Sequence, residues 1–209
     1  RGPLSVSRRN ATAVGNLNFG YLAGGNLFYS DIYRTDYNND TATSSPKGNL
    51  IGNRVFNGAV GTLNYGYFIG GNGPGSSNPS NQPMNRRIDK ITFSNDTSTV
   101  LPSTTTPSSA GGSWDGVAIG EGTKIYYSGG YKGQTPSQPG ETYNTSTYKI
   151  TLATDSRSNV PGAPLPERAR YQSTTGSATM GHFAGGNNGP NLSWVQRLTY
   201  STDTFIHSP

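Results

Sequence analysis

The stretch Gly66-Tyr67-Phe68-Ile69-Gly70-Gly71 decides the fold, because it recurs. The same aromatic strand ending in Gly-Gly stands at Gly20-Tyr21-Leu22-Ala23-Gly24-Gly25, Ile125-Tyr126-Tyr127-Ser128-Gly129-Gly130 and Gly181-His182-Phe183-Ala184-Gly185-Gly186. Copies spaced by roughly 50 residues mark a repeat architecture, in which each unit is a small sheet that buries its faces against its neighbours. The Gly-Gly pairs Gly24/Gly25, Gly70/Gly71, Gly129/Gly130 and Gly185/Gly186 read as structural: a strand leaving a crowded place at positive φ accepts only glycine cheaply.

Working outward, each aromatic strand is preceded by a lead-in segment and a short Gly/Asn turn, as in Arg54-Val55-Phe56-Asn57-Gly58-Ala59-Val60 followed by Gly61-Thr62-Leu63-Asn64, which is a hairpin signature. A third strand follows with apolar and polar residues alternating: Ile32 to Tyr37, Ile88 to Phe93, Tyr148 to Leu152 and Val195 to Tyr200. Next comes a turn with Asp at a constant place, Asp40, Asp96, Asp155 and Asp203, where Asp and Asn bond their own backbone and tolerate left-handed conformations. The expected fold is therefore all-β and β-propeller-like, with four repeats of four antiparallel strands as blades. The units run approximately over residues 8–53, 54–112, 113–167 and 168–209 plus 1–7 of a single domain.

From the third-strand anchors Tyr37, Phe93 and Leu152 to the next Gly-Gly the distances are 33, 36 and 33 residues, and joining the C-terminus to the N-terminus gives 33 again. Pro209, Arg1, Gly2 and Leu4 then align with Pro46, Lys47, Gly48 and Leu50. The expectation is a last blade completed across the join, either by closure or by continuation into the next copy of a tandem polypeptide or head-to-tail filament. The absence of an initiator Met favours a chain cut from a longer polypeptide.

The Arg, small apolar strand, turn and aromatic Gly-Gly strand pattern resembles kelch repeats over essentially the whole chain, without the Trp that kelch units carry after the third strand. The Gly-Tyr-Phe-Ile-Gly-Gly type of strand end, with Ser94-Asn95-Asp96-Thr97, is also similar to tandem repeats of phage tail and other virion-associated or extracellular structural proteins. These resemblances imply a β-propeller arrangement, a surface role and an extracellular or virion location, and no activity.

Composition agrees with short strands and tight turns. Leu, Ile, Val and Phe supply only 35 of 209 residues, while 29 Gly and 14 Pro provide turns and 13 Tyr provide buried area. The net charge of +5 is too small for the low apolar content to signal disorder. The basic residues are scattered, so no specific nucleic-acid partner is expected. No apolar run approaches the roughly 18 residues of a membrane span.

Chemistry is poorly supplied. With no Cys and only His182 and His207, thiolate metal sites and the copper centre of kelch-type oxidases have no ligands, and no cofactor or metal is expected. His182 stands where the other repeats carry Tyr, so it reads as a packed, hydrogen-bonded core residue. The Gly-rich stretches lack the spacing of a phosphate loop, and no catalytic residues are assigned. Five Asn-x-Ser/Thr sequons match the number that random placement of 20 Asn and 48 Ser plus Thr gives, so they carry no information.

Two readings remain. The first is a non-enzymatic structural module that assembles with copies of itself into a fibre or filament. The alternative is a binding module for glycans or a host surface, using the insertions after Gly-Gly at 72–83 and 131–140, with Asn72, Asn78, Gln82, Tyr131, Lys132 and Gln134 as contacts. Trp194 is placed either on a sugar ring or in the core, and Trp114 in the core.

Overall fold

In a computed structural model, the described residues are 4, 6–26, 29–42, 46–55, 58–73, 87–101, 115–131, 143–160, 165 and 169–208. They form sixteen β-strands and no helix. The strands make four antiparallel sheets of four, each a meander of consecutive strands, in the arrangement of a four-bladed β-propeller. Blade 1 contains β1 (Thr12–Gly15), β2 (Phe19–Ala23), β3 (Ile32–Asp36) and β4 (Thr41–Ala42); blade 2 contains β5 (Gly58–Gly61), β6 (Tyr65–Ile69), β7 (Ile88–Thr92) and β8 (Thr97–Val100). Blade 3 contains β9 (Val117–Gly120), β10 (Lys124–Ser128), β11 (Thr147–Thr151) and β12 (Ser156–Asn159); blade 4 contains β13 (Ser173–Gly176), β14 (Met180–Ala184), β15 (Val195–Thr199) and β16 (Thr204–Ser208). The first strands of successive blades, β1, β5, β9 and β13, lie beside one another.

The four strands of blade 4 lie within residues 173–208, with β16 paired to β15 over five positions, from Thr199↔Thr204 to Val195↔Ser208, while residues 1–3 and 209, where the expected join falls, lie outside the described residues. The four-residue Asp turn, Tyr200 to Asp203, leads straight into this long fourth strand. Blade 1 differs: β4 spans two residues, and the chain then returns to β3 through Lys47 N–H to Ile32 O (2.7 Å) and Ile32 N–H to Gly48 O (3.0 Å).

The core is distributed between blades. Val14, Tyr21, Ala23, Ile32 and Leu50 of blade 1 meet Phe68, Ile91 and Phe93 of blade 2. Tyr67, Ile69 and Ile88 meet Ala118, Ile125, Tyr127 and Ile150 of blade 3. Ile119, Tyr126 and Val160 meet Phe183, Leu198 and Tyr200 of blade 4. Alternation explains this division, since successive side chains of a strand point to opposite sheet faces and thus to opposite neighbours.

The Gly-Gly pairs all have positive φ, from 60° at Gly185 to 111° at Gly25. The crowding comes from lead-in segments. A Cβ on Gly129 would lie 2.8 Å from Ala169 O, in the segment leading into blade 4. The same ends tie blades together: Gly25 N–H donates to Arg54 O (3.0 Å) and Gly130 N–H to Ala169 O (2.9 Å). The lead-in arginines clamp the strand ends of their own blades, with Arg8 Nη1 on Gly24 O (2.8 Å) and Arg54 Nη1 on Gly70 O (3.0 Å). Arg54 is fully buried and ion-paired with Asp89. Burial lowers its pKa to about 9, helped by the nearby Arg87 charge, so it still carries its proton at neutral pH.

Candidate functional site: the blade junctions

Each blade presents one cross-strand row toward the next. In blade 1 the row is Val14–Tyr21–Arg34, in blade 2 Val60–Tyr67–Lys90, in blade 3 Ile119–Tyr126–Lys149 and in blade 4 Thr175–His182–Arg197. The cation stands three residues before the third-strand anchor, and Asp three residues after it. This symmetric spacing sets a donor on the forward face of one blade and an acceptor at the turn of the next.

At the first junction the Tyr21 hydroxyl donates to Asp96 Oδ1 (2.7 Å) and Arg34 Nη1 to Asp96 Oδ2 (2.6 Å). Tyr21 also stacks on Phe93, with centroids 4.9 Å apart. At the second, Tyr67 donates to Asp155 Oδ1 (3.4 Å) and Lys90 Nζ to Asp155 Oδ2 (2.6 Å). At the third, Tyr126 donates to Asp203 Oδ1 (2.5 Å) and Lys149 Nζ to Asp203 Oδ2 (2.5 Å), while Tyr126 stacks on Tyr200 at 5.4 Å. One carboxylate thus takes a hydroxyl and a cation together, within its capacity of about four acceptor sites.

The electrostatics follow. Burial, then the hydrogen bond to the facing Asp, pushes the Tyr21 and Tyr126 hydroxyls well above the usual phenol range; burial and the Asp155 charge do so for Tyr67. Burial alone would raise Asp203, but the Lys149 and Tyr126 hydrogen bonds outweigh it and hold the carboxyl below the ordinary range. The Asp residues adopt left-handed backbone, with φ of 54° at Asp40, 58° at Asp96, 48° at Asp155 and 54° at Asp203. The turn chemistry expected of them is present, and their second role as inter-blade acceptors is what the sequence reading missed. The signal was available in the constant spacing of Arg34, Lys90, Lys149 and Arg197 before the anchors.

The fourth junction differs. Among the described residues, no hydrogen bond, ion pair or core cluster joins blade 4 to blade 1. The forward row of blade 4 is open: Thr175 and Arg197 are exposed, His182 is half-buried, and Ile206, paired with Arg197, is 50% exposed. His182 is therefore less enclosed than the core residue expected, and less than Tyr21, Tyr67 and Tyr126 at the matching position. On blade 1, Tyr37 is 50% exposed, whereas its counterparts Phe93 and Tyr200 are each 3% exposed. A cleft of about 590 Å³ lies on that face, lined by Leu4, Ala13, Leu22, Thr35, Tyr37 and Asp40 among others.

Of the loop residues chosen for binding, Asn78, Gln82, Lys132 and Gln134 lie outside the described residues, as does Trp114. Asn72 bridges Val55 through paired backbone hydrogen bonds, and Tyr131 bridges Tyr143 with their rings edge to face at 5.9 Å. Trp194 is 6% exposed and packs against His207, so of its two readings the core one holds. Asn72 and Tyr131 directly follow the Gly-Gly ends of blades 2 and 3 as strand-edge residues, and Trp194 directly precedes β15 as a packing residue. Among the described residues, no group of three or more His, Cys, Asp or Glu side chains converges to hold a metal, and no helix is long and apolar enough to cross a membrane. No family model and no curated protein sequence matches the chain.

Proposed function

We propose that this chain is a non-enzymatic structural repeat module of an extracellular or virion-associated fibre, assembling head to tail with copies of itself or within a tandem polypeptide. The observation that carries the reading is the reuse of one junction chemistry, Tyr and cation on Asp, at three successive blade contacts. A surface that repeats its own forward and backward halves is suited to adding further units, as in other quasi-one-dimensional repeat proteins. The location follows from the resemblance to virion-associated repeats. Sedimentation velocity over a concentration series, with negative-stain microscopy of the same samples, tests the proposal. Concentration-dependent growth of linear assemblies is the expected result; a single monomeric species at every concentration would remove it.

A further inference from the structure

Resting on the self-assembly reading, we infer that the contact between copies is a fourth blade junction, formed by the forward face of blade 4 of one copy on the back face of blade 1 of a second. The three visible junctions dictate its chemistry. A forward row supplies a β-branched residue, a ring bearing a donor and a cation; a back face supplies an apolar anchor, aromatic in blades 2 and 4 and Leu152 in blade 3, and, three residues on, an Asp at positive φ. Blade 4 carries Thr175, His182 and Arg197 in the forward register, and blade 1 carries Tyr37 and Asp40 in the backward one. Charges are complementary: Arg197 of one copy faces Asp40 of the other, as Lys149 faces Asp203 within the chain.

Asp40 already takes part in a contact of its own. Asp203 shows that this position accepts several donors at once, holding Tyr126 and Lys149 with Lys124 at 3.9 Å. Apolar burial adds to the pairing. Tyr37 would stack on the His182 imidazole as Phe93 stacks on Tyr21 and Tyr200 on Tyr126, and Leu22 would enter as Phe68 and Phe183 do. Backbone groups match as well: Gly186 N–H and Arg8 C=O stand where Gly25 N–H meets Arg54 O and Gly130 N–H meets Ala169 O.

The test uses Arg197→Asp, Asp40→Lys and Asp40→Asn in the full chain, read by sedimentation equilibrium, with circular dichroism to verify folding. Each variant alone should weaken self-association by roughly tenfold or more, because a like-charge or unpaired contact replaces a salt bridge. Mixing Arg197→Asp with Asp40→Lys should restore association in strict alternation, because the substituted forward face of the first variant meets the substituted back face of the second with opposite charge, and the unaltered Arg197 of the second meets the unaltered Asp40 of the first; mixed assemblies then grow although neither variant grows alone. The Asn variant preserves the left-handed turn, so its weakening cannot be ascribed to backbone strain. Wild type that assembles, with variants that assemble equally well, would overturn this interface and leave the self-assembly reading standing. A wild type monomeric at all concentrations would overturn both, and would mark the polar row of blade 4 as a capping face.

Discussion

The two faces of blade 4 were built from the same strands and met different fates. Its back face places Phe183 and Leu198, both fully buried, with Tyr200 against Tyr126 of blade 3. Its forward face, one residue out of phase on the same strands, leaves Thr175, Arg197 and Ile206 exposed. Burial in this fold therefore belongs to the junction and not to the sheet. A blade's forward face is sealed where the next blade supplies an apolar anchor, Phe93, Leu152 or Tyr200, and an Asp turn.

The largest expected effect breaks the comparison at its apolar centre. Phe183→Ala should destabilise the protein by about 3–5 kcal/mol, because a fully buried ring is removed from a packed junction. Leu22→Ala, at the equivalent place on the open back face of blade 1, should cost less than about 1 kcal/mol. Urea unfolding of the two variants checks this, and similar losses would mean that the open face is covered in solution.

Asp115 sits at the sealed junction of blades 3 and 4, its carbonyl accepting from Tyr171 N–H (3.3 Å). Burial pushes its pKa up to about 6, against the pull of Arg170. The folded state then holds a proton that the unfolded chain releases near pH 4, so stability falls as pH rises from about 4 to 6 and stays reduced above. Asp115→Asn should raise stability by about 3 kcal/mol at neutral pH and leave it unchanged near pH 3. Thermal melts across that range decide it; a variant whose gain persists in acid would point to packing instead of ionisation.

Asp203→Asn should cost about 2 kcal/mol, since it removes the charged acceptor of Lys149 and Tyr126 while keeping the turn. A finer comparison uses glycine. Gly129→Ala and Gly185→Ala both place a side chain at positive φ, at 72° and 60°. Only at Gly129 does the new Cβ meet the next blade, 2.8 Å from Ala169 O, whereas at Gly185 the nearest atom is Leu192 O at 3.5 Å. Gly129→Ala should therefore be the worse by about 1 kcal/mol, measured by the same melts.

Much of this protein was legible in its residues. Periodicity of two in the third strands, aromatic strands ending in Gly-Gly and Asp turns at constant spacing identify an all-β repeat and its four units, because local backbone preferences and face alternation are written residue by residue. That the tyrosines would supply buried area was legible in the composition. His182 was misread: its strand position predicts a buried ring, but position cannot say whether a neighbouring blade exists. The length of β16 was not legible either, since it depends on pairing with β15. The link from Arg34, Lys90 and Lys149 to Asp96, Asp155 and Asp203 spans 54 to 65 residues of chain and joins sheets whose packing no local pattern encodes. Sequence thus fixed what each blade is made of, through short-range sterics and alternation. Which faces are sealed, and which stand ready for a partner, was decided by how the sheets meet in three dimensions.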